Sequence, residues 1–155
     1  MFREMRRKKQ LLPDEVSREI LERNTSGVLS LMGDEGYPYG VPLSYVLVGD
    51  AIFFHCAKEG HKIDAIKSCD KVSYCVHDEG FRKEGEWALN IKSVIVFGRI
   101  RIVEDEEKMR EICSNLYRKF DDDEDALKQE LTHLSRVMCL ELTPEHMTGK
   151  LVKES

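Results

Sequence analysis

A short basic turn is the stretch of this sequence with the clearest capacity for chemistry. The segment "FFHCAKEGHKIDAI", residues 53–66, runs from an apolar strand into a histidine, then a glycine-containing turn, then a helical pattern. Gly60 stands where the helix should begin, with Lys58, His61 and Lys62 around it. The first amides of a helix lack backbone acceptors and attract phosphate groups, and a glycine lets the backbone approach an anion closely. The turn therefore predicts a phosphate-binding site at the end of a strand.

The turn does not match the common phosphate-binding motifs. The Walker A pattern G-x-x-x-x-G-K-[ST] is missing, because Ile63 occupies the Ser/Thr position, and no G-x-G-x-x-G occurs in the sequence. Lysines at the start of a helix are also often ordinary solvated surface, and that alternative stays open. The residues alone thus indicate an anion site without identifying the anion.

The patterns on either side of the turn predict an antiparallel sheet. Three strand-like runs, "GVLSLMG", "YGVPLSYVLVG" and "AIFFHC", are separated only by short turns. Strands joined by such tight turns are antiparallel, which excludes a doubly wound parallel sheet in this half of the chain. Further strands are predicted at "KVSYCVHDE", "IKSVIVFGRIRIVED", "RVMCLEL" and, as an edge strand, "GKLVK", with helices opening at Pro13 and spanning residues 106–119 and 126–134. Six or seven such strands with short helices favour a mainly β fold, a small closed barrel.

Two strand positions carry specific expectations. Pro42 lies inside an otherwise strong strand and has no N–H to donate, so that strand should be interrupted or lie at an edge of the sheet. An edge there would leave backbone groups free to hydrogen-bond a ligand. In the longest strand the apolar positions shift phase around Gly98, where Ile95 and Phe97 give way to Ile100, which predicts a bulge or a barrel corner.

Length and composition limit the class of protein. The 155 residues fit a single domain, residues 1–155, with a flexible basic arm at 1–12 and C-terminal helices plus a last strand at 105–155. A net charge of −5 argues against a nucleic-acid partner, and no apolar run approaches the ~20 residues of a membrane span. The basic start lacks the apolar core of a secretory signal. Five cysteines without a Cys-x-x-Cys spacing favour reduced thiols in a cytoplasmic protein and no metal site.

Four segments together carry a family resemblance: "YPYGVPLSYV", "IFFHCAKEGHKIDAI", "VSYCV" and "SVIVFGRIRIVED". They resemble the FMN-binding split-barrel family related to pyridoxamine 5'-phosphate oxidase, and most closely its nitroimidazole-resistance (Nim-type) branch. The similarity runs from Met5 to Asp105, and "YPYGVPLSY" and "FHCAKEGHK" are its most specific parts. The resemblance implies a six-stranded antiparallel split barrel that forms a homodimer, with FMN in the groove between the subunits.

The resemblance also implies which residues contact the cofactor. Basic residues after the third strand would hold the phosphate, the strand with Pro42 would lie along the isoalloxazine ring, and part of the long strand would border the cofactor. His55 coincides with a histidine found beside the flavin in Nim-type members, which makes it the candidate catalytic residue. Two positions depart from the family pattern, since Cys56 replaces a small residue and His61 replaces an arginine or lysine. The implied cofactor contacts are Val41, Pro42, Leu43, Ser44, His55, Ala57, Lys58, Gly60, His61, Lys62, Ser93 and Val94.

The expected function is oxidation or reduction of a small organic molecule by an FMN-dependent oxidoreductase, with NADH or NADPH as a candidate electron donor. The Nim-type resemblance implies nitroaromatic reduction. His55 would orient a substrate or relay a proton, although a histidine at the end of a strand is often only hydrogen-bonded scaffolding. Two alternatives stay open: a non-enzymatic flavin carrier or sensor, and a split-barrel protein that uses haem or a deazaflavin.

Overall fold

The computed structural model describes residues 1–154 of the chain, and within that range it contains four α-helices and seven β-strands. The helices are α1 (Asp14–Arg23), α2 (His61–Ser68), α3 (Glu106–Arg118) and α4 (Glu124–Leu131). The strands are β1 (Ser26–Met32), β2 (Pro38–Ser44), β3 (Val46–Val48), β4 (Ala51–Ala57), β5 (Lys71–His77), β6 (Leu89–Val103) and β7 (Val137–Glu154).

The strands form one curled antiparallel sheet in the order β2-β1-β5-β6-β7-β4-β3. The predicted mainly β fold, an antiparallel split barrel with flanking helices, is confirmed. The described residues form seven strands because the predicted second strand is divided at Tyr45 into β2 and β3, which lie at opposite ends of the strand order. Tyr45 is fully buried and its hydroxyl donates to the Leu21 carbonyl at 2.6 Å, which fixes the chain where it passes from one edge of the sheet to the other.

The long pair β6–β7 contains the predicted irregularity but not the predicted change of phase. A register shift falls between Phe97 and Gly98, as predicted, and the residue left over is Glu145 on β7. The predicted change of phase along β6 is wrong, because the buried positions continue without interruption at Val94, Val96, Gly98 and Ile100. Ile95 and Phe97 instead point outward, each 38% exposed. The segment "GKLVK" is not a separate edge strand but the second half of β7.

Two apolar clusters hold the fold, and β4 is buried between them. Ile52 and Phe54 point into the barrel interior, whereas Phe53 packs with Ile112 and Leu116 of α3 on the opposite face of the strand. This double burial explains why "AIFFHC" shows no alternation of apolar and polar residues. Helix α3 therefore covers the outer face of β4, next to the basic turn that follows this strand.

The N-terminal segment contacts the far end of the same sheet. Leu11 forms an isolated antiparallel bridge with Lys150, and the Leu12 amide donates to the Gly149 carbonyl at 2.9 Å. The Phe2 ring stacks on His146 with 4.6 Å between ring centroids. As for membranes, the helices formed by residues 1–154 are all too short or too polar to traverse a bilayer.

Candidate functional site

The basic turn has the backbone geometry expected of an anion site. β4 ends at Ala57, and Gly60 directly precedes the first residue of α2. Its backbone angles, φ +127° and ψ 175°, are ones that residues other than glycine rarely adopt. The Gly60 carbonyl accepts hydrogen bonds from the amides of Ile63 at 3.0 Å and Asp64 at 3.1 Å. Within residues 1–154 the preceding amides of α2 have no backbone acceptor, and a Cβ added at Gly60 would meet nothing within 4 Å. The turn therefore offers free N–H groups beside open space.

The three basic side chains of the turn differ in their surroundings. Lys58 is exposed and Lys62 is half-buried. His61 instead faces the turn between β1 and β2, where its ring stacks on Tyr39 with 4.2 Å between centroids. Its Nε2 accepts a hydrogen bond from the Asp34 amide at 3.4 Å and lies 3.7 Å from an Asp34 carboxylate oxygen. Lys58 and Lys62 are therefore the cations best placed for an anion at Gly60, while His61 joins the turn to the neighbouring hairpin.

His55 lies on β4 close to the basic turn, with its side chain on the face covered by α3. Burial, and then the positive charge of Lys62, lower the pKa of His55 below its ordinary value. The imidazole is consequently neutral at pH 7, with one nitrogen free to accept a proton. Cys56 points to the opposite face, where burial raises the pKa of its thiol although the Lys62 charge opposes that shift. Of the two neighbours, His55 is the one equipped for proton transfer.

β2, the strand expected along the flavin ring, is an edge strand, which confirms the prediction made from Pro42. Pro42 is exposed opposite Val28 of β1, and Val41 and Leu43 pack against the barrel core. Ser44, the last residue of β2, is half-buried.

Two side chains that sequence reasoning did not connect with β2 hold this strand. The fully buried Tyr74 donates its hydroxyl to the Leu43 carbonyl at 2.5 Å. Lys119, which follows α3, donates from Nζ to the Tyr45 carbonyl at 3.2 Å and lies 4.0 Å from the centre of the Tyr45 ring. Burial lowers the pKa of Lys119 to about 8. A partly desolvated cation thus stands immediately beyond Ser44, and no sequence spacing pointed to it, because 74 positions separate the two hydrogen-bonded residues.

Ser93 and Val94 lie on β6, between β5 and β7, and neither pairs with β4. They pair with Lys150 and Gly149 near the C-terminal end of β7, whereas β4, which leads into the basic turn, pairs with the opposite end of that strand, residues 137–142. Val94 is completely buried, with strands on both sides. It therefore has no accessible side chain or free backbone group with which to contact a ligand, and Ser93 is the accessible member of this pair. The strand pairing of this chain does not bring these two residues to Gly60.

A cavity of about 410 Å³ opens beside His55, between β4 and the two C-terminal helices. We call it the α3–α4 cavity. Its lining is largely apolar, with His55, Asp121, Glu130 and His133 as its ionisable groups besides Cys113 and Tyr117. Sequence reasoning missed it because its walls come from segments far apart in the chain. One signal was available, the aromatic Phe120 directly before an acidic run.

In the part of the chain that the structure describes, no three His, Cys, Asp or Glu residues lie together in a way that could hold a metal ion. The donor set at the turn, amides and ammonium groups, is instead suited to an anion.

Structural comparison relates the chain to several solved proteins. A candidate 5-nitroimidazole antibiotic resistance protein from Bacteroides thetaiotaomicron shares 18% identity and a TM-score of 0.77, with 92% of this chain and 87% of that one covered. A FAD-binding protein from Mesorhizobium loti shares 20% identity and a TM-score of 0.69, with coverages of 92% and 97%. The flavocytochrome Anf3 from Azotobacter vinelandii shares 18% identity and a TM-score of 0.78, with coverages of 96% and 72%. At these identities the likeness establishes the fold alone.

Sequence comparison is more specific about ancestry. No curated protein matches the chain significantly. A family model described as pyridoxamine 5'-phosphate oxidase, however, matches residues 13–151, which include β2, the basic turn, His55 and both C-terminal helices. The chain therefore belongs to the pyridoxamine 5'-phosphate oxidase family.

Proposed function

We propose that this protein is an FMN-dependent oxidoreductase that acts on a small organic molecule. The observation that carries the proposal is the open turn at Gly60, where free helix amides, the exposed Lys58 and the half-buried Lys62 lie at the end of β4 in a protein of this family. The terminal phosphate of FMN matches that donor set, and Gly60 leaves the space that a phosphate needs. When bound, FMN supplies hydride and single-electron transfer chemistry.

The residues of this chain would divide the work around the cofactor. Lys58, Lys62 and the first amides of α2 would bind the phosphate, and β2 would lie along the isoalloxazine ring with Ser44 at its end. His55, neutral at pH 7, would hold or transfer a proton at an imidazole nitrogen next to the bound substrate. Nitroaromatic compounds are the first substrates to assay, with NADH and NADPH as electron donors.

The phosphate assignment is tested with Lys62→Ala and a matched control, Lys67→Ala, in the last turn of the same helix. FMN retention is measured from the absorption spectrum of the purified protein and from cofactor released by heat. Loss of one charge-assisted hydrogen bond, about 1.5–3 kcal/mol, should weaken FMN binding about tenfold to 150-fold in Lys62→Ala and leave Lys67→Ala unchanged. Equal FMN retention in the two variants would show that the phosphate lies elsewhere.

We also propose that the active form is a homodimer, which rests on an apolar surface of the sheet. Val28, Met32, Ile95 and Phe97 of β1 and β6 point away from the barrel and are 38–49% exposed. Val28 and Ile95 flank Cys75 in directly paired positions across β5. A contiguous apolar patch of this kind is typical of a protein interface.

The dimer is tested by light scattering coupled to size exclusion. The wild-type protein should show twice the 18.0 kDa chain mass, and Phe97→Glu should shift it toward the monomer. Gln129→Glu adds the same charge on an exposed part of α4 and should stay dimeric. A monomeric wild-type protein at micromolar concentration contradicts the proposal.

Haem binding is the second candidate, favoured by the structural likeness to a flavocytochrome. The absorption spectrum of freshly purified protein separates the two, since haem gives an intense Soret band and FMN gives two weaker bands in the near ultraviolet and blue. A flavin carrier or sensor would instead show the FMN spectrum without turnover of NADH or NADPH with any acceptor.

A further inference from the structure

The α3–α4 cavity combines an apolar interior with an unbalanced charge at its mouth. Leu116 of α3, Leu127 of α4 and Leu134 are almost completely buried in its wall. Tyr117 and Phe120 contribute aromatic rings, and Phe120 is 60% exposed. A volume of about 410 Å³ lies at the lower end of the range for small-molecule sites, which suits a ligand with one ring system.

The carboxylates at this cavity differ from their neighbours on α4. Glu124 is paired with Arg118 and Asp125 with Lys128. Asp121 and Glu130, which line the cavity, form no ion pair with any residue in the range 1–154. Two carboxylates without a cation at the rim of an apolar pocket leave a negative potential there that an incoming positive charge would satisfy.

The same carboxylates also act on a neighbouring aromatic side chain, Tyr117. The pKa of Tyr117 is raised, first by loss of solvation and then by the negative charges of Asp121, Asp123, Glu130 and Asp122. Tyr117 and Phe120 also line the cavity, and aromatic rings of this kind attract cations.

We propose that the α3–α4 cavity binds a small organic cation, an aromatic or aliphatic amine whose ammonium group lies at Asp121 and Glu130 and whose apolar body lies between α3 and α4. His55 and Val137 line the same cavity from the side of β4 and β7. Binding in the cavity does not depend on a cofactor. His55 lines the cavity and lies on β4 shortly before the basic turn. This position makes the bound amine a candidate substrate of the oxidoreductase, a step that rests on the proposed function.

The experiment compares three ligands with the same indole ring. Tryptamine carries an ammonium group, tryptophol a neutral hydroxyl and indole-3-propionate a carboxylate. Each is titrated calorimetrically into the purified full-length protein, whose FMN content is measured in parallel. Two partly exposed ion pairs, about 1–2 kcal/mol together, should favour tryptamine over tryptophol about five- to thirtyfold, with indole-3-propionate weakest.

Charge-removing variants locate the site. Asp121→Asn and Glu130→Gln should each lower tryptamine affinity about two- to fivefold and leave tryptophol affinity unchanged, whereas Glu107→Gln, an exposed carboxylate near the start of α3, should change neither. Asp121→Asn keeps the side-chain oxygen that accepts the Asp123 amide at 3.0 Å, so the local turn stays intact. Perturbation of the His55 imidazole NMR signals by tryptamine is the expected sign that the ligand lies next to this lining residue.

Equal affinity for tryptamine and tryptophol would overturn the inference, and so would an unchanged tryptamine affinity in both Asp121→Asn and Glu130→Gln. A dimer that is broken by Phe120→Glu would also overturn it, because a second copy of the chain would then cover the cavity. FMN binding without tryptamine binding would refute the cavity site and leave the proposed function standing. Tryptamine binding by a protein that never takes up FMN would refute the proposed function and leave the cavity site standing.

Discussion

Two buried tyrosines provide a matched test of how β2 is held. Tyr74 and Tyr45 are both fully buried, and each donates one hydrogen bond to a backbone carbonyl, Tyr74 to Leu43 at 2.5 Å and Tyr45 to Leu21 at 2.6 Å. Their rings pack edge to face with 5.2 Å between centroids. Replacement by phenylalanine keeps both rings, so the loss is confined to one hydroxyl in each case.

The two losses should cost similar stability. A buried hydrogen bond contributes a net 0.5–1.5 kcal/mol, and the carbonyl left without its donor adds to the loss, so each variant should be destabilised by about 1–2 kcal/mol. Urea unfolding followed by circular dichroism measures this difference, with an unchanged m-value as the sign that the unfolded state is unaffected.

The effect on the cofactor should differ between the two variants. Tyr74→Phe releases Leu43 near the end of the proposed flavin strand, whereas Tyr45→Phe releases α1 through Leu21. If the Tyr74 hydrogen bond holds β2 in the position that binds the flavin, its loss should weaken FMN binding by up to the same 1–2 kcal/mol. The Kd for FMN should then rise about five- to thirtyfold. Tyr45→Phe should change the Kd less than twofold. Fluorescence titration with FMN measures both, and equal Kd values for the two variants would refute the role of β2.

The buried tyrosines, the crowded Gly98 and the charge of Lys62 each have a measurable effect. Burial raises the pKa of both Tyr45 and Tyr74. Above pH 10 the unfolded chain therefore releases two protons that the folded protein retains. The free energy of unfolding should fall by an additional amount of about 1.4 kcal/mol per pH unit for each tyrosine. Unfolding at pH 10–12 should therefore show the wild-type protein losing stability faster than either phenylalanine variant, and parallel curves would argue against burial. Gly98→Ala would place a methyl group against the Thr143 carbonyl and 2.9 Å from Leu142, which should lower the free energy of unfolding in urea by about 1–3 kcal/mol. In the control Gly40→Ala on β2, the added methyl group lies no closer than 3.4 Å to a valine methyl, so stability should hardly change. Lys62→Met should raise the pKa of His55 by removing the second of its two causes, and an unchanged NMR titration midpoint would mean that burial alone sets it.

Local chemistry was enough to predict the parts of the site that depend on neighbouring residues. The strand, glycine and helix start at residues 53–66 were evident from spacing, because amides at a helix terminus are free wherever a helix begins. Pro42 identified an edge strand because a proline cannot donate to a second ladder, and β2 is indeed an edge. Short turns predicted the antiparallel pairing, because they leave no length for a crossover connection.

Contacts between distant segments decided the rest, because side-chain partners across a sheet cannot be read from local spacing. Burial of Tyr45 divides one predicted strand into two and sends them to opposite ends of the sheet order. Ile95 and Phe97 point outward, although their apolar character alone resembled a core pattern that had changed phase. His61, counted among the phosphate ligands from its position in the turn, contacts Asp34 and Tyr39 of a hairpin more than 20 residues away. The α3–α4 cavity exists only because the last two helices fold back over β4, so its ligand chemistry belongs to the tertiary structure and not to any one stretch of the chain.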